Sequence, residues 1–316
     1  LSHNKLILDT DGGVDDAQAL LMLIAAGRTP DAITTVFGNV GLEAATRNIL
    51  ATLAVVGAKT PVHTGAGRPL TQAIIDAKYI HGEDGLGGAP RPLHTAEIAG
   101  DDAIGFLRQT FRDAGNKGEK VDILMIGPLT NLALALRLEP SIFNGIGQLT
   151  IMGATVYGRG NTTPAAEFNI YADPEAASVV FSADIETVVI PWEPCVSHDM
   201  KGPAVDAMFE TVAEGPEKAF SLALAKHARH TNESYGGGDT FRFVDPLAAA
   251  VVIDPSVVTK SLRASMDVAL APGIARGMTL VDPSGRLGTP MVTIVEEAKI
   301  DRLIEIYDAS VRFTAQ

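Results

Sequence analysis

Cysteine is almost missing: Cys195 is the only one in 316 residues. One thiol excludes an intramolecular disulfide and a Cys-rich zinc site, and a reducing, cytoplasmic setting fits best. Basic charge is short as well. Twenty-five Lys and Arg stand against 38 Asp and Glu, a net charge of −13. That balance repels a phosphate backbone and leaves no basic stripe for a nucleic acid polymer or an anionic lipid surface. No uncharged apolar stretch reaches the ~18 residues of a membrane span, so no membrane partner is expected. The opening "LSHNKLIL" carries no signal-peptide apolar region. Internal repeats, low-complexity tracts and long Pro/Gly/Ser linkers are also absent. One domain over residues 1–316 is therefore expected, with the loops at about 64–100 and 195–245 acting as lids or oligomer contacts.

What the chain does have is alternation. Apolar, β-rich runs at "KLILD" (5–9), "AITTVFG" (32–38), "DILMIG" (122–127), "QLTIMG" (148–153) and "TVVIPW" (187–192) read as strands buried on both faces. Helical spacing fills 14–27, 42–57, 172–183, 216–231 and 246–252 between and after them. The pattern predicts an α/β fold, an open and mostly parallel sheet flanked by helices. From about 257 to 296 the tail turns strand-rich, and 296–313 reads as a closing helix.

The chemistry concentrates after the first strand. "LILDTDGGVDDAQALL" places Asp9, Asp11, Asp15 and Asp16 within eight positions. In open α/β sheets ligands bind beyond the carboxyl ends of the strands, where Asp9 and Asp11 fall. Gly12 and Gly13 supply a tight turn that lets the carboxylates converge. One or two of them have an ordinary account as helix-start acids, but four so close would repel one another, and a hard divalent cation answers that repulsion. Other strand ends and loops add Asn39, the Ile126 carbonyl, Met152, Asn161, Glu167, Asn169 and Asp245, each of which alone has an ordinary turn, packing or capping explanation.

Taken in order, "DTDGGVDDA", "FGN", "HGEDGLGG", "IGPLTNLA", "IMGA", "AEFNIYADPEAA" and "VDPLAA" closely resemble the motifs of the inosine–uridine-preferring nucleoside hydrolase family, from about residue 5 to 255. The resemblance implies hydrolysis of the N-glycosidic bond of a small ribonucleoside to ribose and free base, with bound calcium (Ca²⁺), by a homodimer or homotetramer. It assigns the calcium to Asp11, Asp16, Asp245 and the carbonyl of Ile126, and makes Asp11 the general base for the attacking water. It assigns the ribose hydroxyls to Asp15, Asn39, Asn161, Glu167 and Asn169, with Met152 lining the sugar and Asp9 orienting the loop from behind. Salvage or catabolism of nucleosides would be the setting.

Two positions depart from the family pattern. Val244 stands where well-known members carry a His, or in purine-specific members a Trp, directly before the aspartate that is Asp245 here. Valine neither donates a proton nor stacks, so help for the departing base must come from elsewhere. The candidates are His81, His227, His230 and Tyr235. Phe241 and Phe243 are candidates for stacking on the base or for packing, and Trp192 and Cys195 read as packing. Gly12 replaces a common proline, which is expected to loosen the loop without changing its ligands. Two other functions compete: a haloacid-dehalogenase-like phosphatase with Asp9 as nucleophile, and a ribonucleoside-binding protein that has lost catalysis.

Overall fold

The computed structural model describes residues 4–92 and 94–314; residues 1–3, 315 and 316, the ends of the expected single domain, lie outside the described residues. Eleven strands are described: β1 (Lys5–Thr10), β2 (Ala32–Thr35), β3 (Val62–Thr64), β4 (Val121–Met125), β5 (Ile146–Met152), β6 (Glu186–Ile190), β7 (Asp199–Lys201), β8 (Thr240–Arg242), β9 (Val258–Val268), β10 (Thr279–Asp282) and β11 (Met291–Ala298). Nine of them form one sheet in the order β10-β9-β11-β6-β5-β4-β1-β2-β3, parallel from β11 to β3. The strand-rich tail forms the antiparallel edge, where β9 pairs with both β11 and β10. The expected α/β architecture is borne out.

The position of the site follows from this order. The chain runs β1, β2, β3 in one direction, then crosses to place β4 on the other side of β1. Helices leaving β1 and β4 diverge there, and a crevice opens at their carboxyl ends. Leu6, Ile7 and Leu8 of β1 are buried on both faces, and the first polar side chain after them, Asp9, falls at the crevice. β2 is shorter than the expected strand because residues 36–39 leave the sheet and turn Asn39 toward the end of β1.

Helices cover both faces. On one, Val14–Ala25 packs against Asp245–Ile253 and Ile300–Val311. "DPLAAAVVI" is apolar nearly all round and is almost wholly buried, as a central helix must be; that burial places Asp245 under the crevice. On the other face Ala103–Lys117, Thr130–Leu138 and Pro174–Phe181 bury Phe111, Leu132 and Phe181.

The segment 195–245 is more ordered than a loop. It holds the helices Gly202–Glu210 and Pro216–Ser234 and the antiparallel pair β7/β8. Arg229 donates to Asp239 at 2.7 and 2.8 Å and also pairs with Asp206, which ties the long helix to this hairpin. Among the described residues no helix is long and apolar enough to cross a membrane.

Candidate active site

A cavity of about 360 Å³ opens at the crevice. Its floor is the turn after β1. Gly12 has φ +69°, and a Cβ there would lie 2.5 Å from the Ala45 Cα. Only glycine is relaxed with that backbone and that contact. The replacement of proline is therefore more than a loosening, since a proline ring holds φ near −65°. Gly38 is similarly required: a Cβ would lie 2.0 Å from Asp11 Oδ2.

The turn gathers its carboxylates through backbone and amide donors. Asp11 accepts the Asn39 N–H on Oδ2 at 2.8 Å and the Asn39 amide on Oδ1 at 2.9 Å. The same Asn39 amide nitrogen donates to Asp16 Oδ2 at 2.9 Å, and Asp16 also accepts from Gly13 N, Asp11 N and the Thr10 hydroxyl. Asp245 enters from the first turn of its helix. Carboxylate oxygens of Asp15, Asp16 and Asp245 lie within 4.8 Å of one another. Asp11 adjoins this trio through Asp16, while its own oxygens are held by Asn39.

No Lys or Arg pairs with any of these acids among the described residues. Burial, then the charge of Asp16, raises Asp11 well above the usual carboxylate range. Burial, then the charges of Asp15, Asp16 and Asp11, does the same to Asp245; burial and Asp15 raise Asp16. Burial pushes Asp15 up to about 6, and its Oδ1 is a buried oxygen with no hydrogen bond. An all-oxygen set of several carboxylates, short of positive charge and with an orphaned oxygen, fits a hard divalent cation. Asp9 stands behind the cluster, fully buried, accepting from Thr34 at 2.5 Å and from Asn131 at 2.8 Å. It is bonded to Thr34 of β2 and to Asn131 of the helix after β4, outside the carboxylate trio and the cavity lining.

The rest of the lining carries amides and one further buried acid. Glu167 caps the helix Phe168–Ala172, accepting from Asn169 N at 2.9 Å, Ala154 N at 3.0 Å and Ile170 N at 3.2 Å; burial nevertheless pushes it up to about 7. Asn169 donates to the Ile126 and Met152 carbonyls at 3.2 and 3.1 Å. Asn161 accepts the Phe168 N–H at 2.8 Å. Ile126, Met152, Asn161, Glu167 and Asn169 all line the cavity with Asp15, Asn39 and Asp245.

Of the base-side candidates, three reach the cavity. His81 lines it, accepting the Val14 N–H on Nδ1 at 3.1 Å, so its proton sits on Nε2. Burial lowers its pKa to about 4, so its 3.6 Å approach to Asp15 joins a neutral ring to the acid. His227 also lines the cavity, but its Nε2 donates to the Ile80 carbonyl at 2.8 Å. Tyr235 stands at the mouth, 64% exposed, with its ring centroid 6.4 Å from that of Tyr79. His230 is exposed and does not line the cavity.

Among the lining residues that the sequence reading did not assign to the site are Gln18, Tyr79, Trp192 and Arg242. Gln18 was findable, three positions after Asp15 and hence on the same helix face. Trp192, read as packing, lines the cavity. Phe241 and Phe243 are fully buried against Tyr307 and stay in the core, away from any ligand. Cys195 is buried, as expected of a packing residue.

Comparison with known proteins agrees with the motifs. Residues 6–305 match the family described as inosine-uridine preferring nucleoside hydrolase. The chain is 34% identical over 289 residues to the inosine-uridine preferring nucleoside hydrolase of Leishmania major, covering 88% of this chain and 87% of that protein. It is 36% identical over 287 residues to the non-specific ribonucleoside hydrolase RihC of Salmonella enteritidis, covering 90% of each. Among solved structures, an inosine-guanosine nucleoside hydrolase superimposes with a TM-score of 0.89 at 27% identity, over 99% of this chain and 100% of that one. The phosphatase reading is thereby replaced, and the chain belongs to the inosine–uridine-preferring nucleoside hydrolase family, enzymes that hydrolyse N-glycosidic bonds.

Proposed function

We propose that this protein hydrolyses ribonucleosides to ribose and free base with a bound calcium ion, and that Asp11 is the general base. The observation that carries the reading is the clustering of four acids at the cavity floor without a balancing Lys or Arg: Asp15 and Asp245 line the cavity, and Asp11 and Asp16 are buried directly behind them. Asp11, Asp16, Asp245 and the Ile126 carbonyl would hold the ion, with Asp15 close enough to share it. When bound, calcium would offset the carboxylate charge, chelate a sugar diol and make water more acidic.

The remaining steps belong to the chain's own groups. Asp11, aimed by its two bonds from Asn39, takes a proton from the water whose oxygen attacks C1′. The C1′–N bond breaks and its electron pair leaves with the base. The ribose is bound by what the local hydrogen bonds leave over. Asn161 has spent its carbonyl oxygen on Phe168 N and keeps its amide hydrogens; Asn169 has spent its amide hydrogens on two carbonyls and keeps its oxygen. A donor and an acceptor thus face the sugar hydroxyls beside Glu167 and Asp15, with Met152 beneath. These groups favour the charge-developing, flattened sugar over the ground state.

The test is release of ribose and base from a nucleoside panel by the calcium-loaded protein. Ribonucleosides should turn over, 2′-deoxynucleosides poorly, since they leave buried polar groups unpaired. Activity should vanish with EDTA, return with calcium, and be lost in Asp11→Ala. Tight nucleoside binding without turnover, calcium being bound, would instead identify a binding protein and overturn the reading. A homodimeric or homotetrameric, cytoplasmic enzyme of nucleoside salvage or catabolism completes the proposal; light scattering tests the assembly and cell fractionation the location.

A further inference from the structure

The cavity's base side lacks the family's His or Trp; of its two inner histidines, His227 spends its Nε2–H on the Ile80 carbonyl, while His81, whose Nδ1 accepts the Val14 N–H, keeps an Nε2–H as a neutral donor on the Asp15 side. Two further polar groups there make no hydrogen bond, Arg242 having only the charge of its cross-strand neighbour Asp199, itself bonded to Lys201, near it. Along "TFRFVD" the side chains alternate: Phe241 and Phe243 are fully buried in the core, while Arg242 and Val244 are partly open and line the cavity. Arg242 therefore reaches the wall on which Val244 sits. It is the only Lys or Arg in the lining among the described residues, and no described residue accepts a hydrogen bond from it or pairs with it within 4.0 Å. Its guanidinium rests against the glycine turn that follows Tyr235; a Cβ on Gly237 would come within 2.8 Å of Nη2. The second group is Gln18. It is 97% buried by its 3% exposure, it lines the same cavity, and its amide nitrogen has no partner. An amide in that state is costly unless something in the cavity completes it.

Resting on the hydrolase reading, we propose that Arg242 and Gln18 together hold and stabilise the departing base, and that this base is a 6-oxopurine. Arg242 offers N–H donors to whatever stands in the cavity, and Gln18, whose Nε2 is closed to solvent, adds one when its amide turns to a bound base. The planar guanidinium fork matches two adjacent acceptors, the O6 and N7 edge of a 6-oxopurine. Adenine presents an amino donor where O6 would be, and the two carbonyl oxygens of uracil are separated by a ring N–H. When the C1′–N9 bond breaks, its electron pair spreads from N9 toward N7 and O6. Arg242 meets that charge with two charge-assisted hydrogen bonds and transfers no proton; the purine anion takes its proton from water after departure. Tyr79, Trp192 and Tyr235 supply flat surfaces around the ring.

The experiment compares inosine, adenosine, uridine and p-nitrophenyl β-D-ribofuranoside, whose nitrophenolate leaves without help, for the calcium-loaded wild-type protein and for Arg242→Met, Arg242→Lys and Gln18→Met. We expect wild-type kcat/KM for inosine to exceed that for adenosine and uridine by about tenfold or more. Arg242→Met should lose roughly 100-fold on inosine but less than about threefold on the nitrophenyl riboside, with Arg242→Lys recovering part of the loss; Gln18→Met should lose about tenfold on inosine alone. Equal losses on both substrates, unchanged inosine hydrolysis in Arg242→Met, or wild-type preference for adenosine or uridine would overturn the proposal. No ribose release by the wild-type protein from any of the four would overturn the hydrolase reading beneath it.

Discussion

Asp11 and Asn39 hold each other by two hydrogen bonds, one from the Asn39 backbone and one from its amide, at 2.8 and 2.9 Å. The amide nitrogen also reaches Asp16 at 2.9 Å, so one neutral side chain spaces two buried carboxylates and fixes the direction of both. Replacing it by alanine keeps the backbone donor on Asp11 Oδ2 and the Gly13 N–H on Asp16 Oδ2, but leaves Asp11 Oδ1 without a donor in a buried site. Each charge-assisted bond of this kind contributes about 1.5–3 kcal/mol. Asn39→Ala should therefore lower kcat/KM by roughly 100-fold or more while far-UV circular dichroism stays native. Activity within about threefold of wild type would show that the pair does not aim Asp11.

The neighbouring buried acids set the pH response of the metal-stripped protein. Glu167 is held at about 7 against an ordinary 4.5, Asp9 at about 7 and Asp15 at about 6 against 3.8. Between the ordinary and raised values the folded state binds more protons than the unfolded chain, so stability falls as pH rises through about 4.5 to 7. His81, lowered to about 4 from 6.5, works in the opposite sense over 4 to 6.5, but it is one group against several. In EDTA the melting temperature should drop from pH 5 to pH 7.5. Calcium should reverse the trend, because it binds the ionised carboxylates. A melting temperature that climbs with pH in EDTA would contradict the burial of these acids as described.

Why some of this was legible in the sequence and some was not comes down to what a local pattern can carry. β1 is an apolar run that ends in acid, and that boundary alone puts Asp9 and Asp11 at a strand's carboxyl end. Asp245 before Pro246 marks a helix start just as plainly. Val62–Thr64 is too short to show a period, and in Ala103–Lys117 the buried Ala103, Leu107, Phe111 and Ala114 keep helical spacing but are diluted by Gly105 and Gly115, poor helix formers. Arg242 and Trp192 could not be placed locally: whether a long side chain faces solvent or a cavity is settled by elements far away in the chain. His227 and His230 shared a helix in the reading, and only the neighbouring Ile80 carbonyl separates the one that enters the cavity from the one that does not.

Gly12 marks a place where this chain has its own backbone solution. With φ +69° and the Ala45 backbone 2.5 Å from where a Cβ would sit, the position is closed to the proline that the family motif commonly carries. Both Gly12→Ala and Gly12→Pro should destabilise, by about 1–3 kcal/mol or more, and both should weaken calcium binding, because Asp11 and Asp16 flank the displaced turn. Calorimetric melting with and without calcium measures both effects. A Gly12→Pro protein as stable and as calcium-avid as wild type would mean the turn readily takes the other conformation.

Glu167 has a structural task that can be separated from sugar binding. Its carboxylate gathers three backbone N–H groups, and one of them belongs to Ala154, a non-glycine residue held at φ +78°. Such a backbone is kept only when its surroundings impose it. Ala154 follows Met152 and Gly153 at the end of β5, so its conformation helps to set the wall against which the ribose packs. In Glu167→Gln one oxygen becomes an NH₂ that faces donors instead of accepting from them, and at least one N–H is orphaned. Stability should fall by about 1–3 kcal/mol. KM for a ribonucleoside should rise more than kcat falls, because the charge on Asp11 and the cation wall is untouched. Ala154→Gly relieves the backbone without touching the carboxylate, so adding it to Glu167→Gln should recover stability but leave KM high. Recovery of both would assign Glu167 to the backbone alone; recovery of neither would leave the strained residue outside the effect.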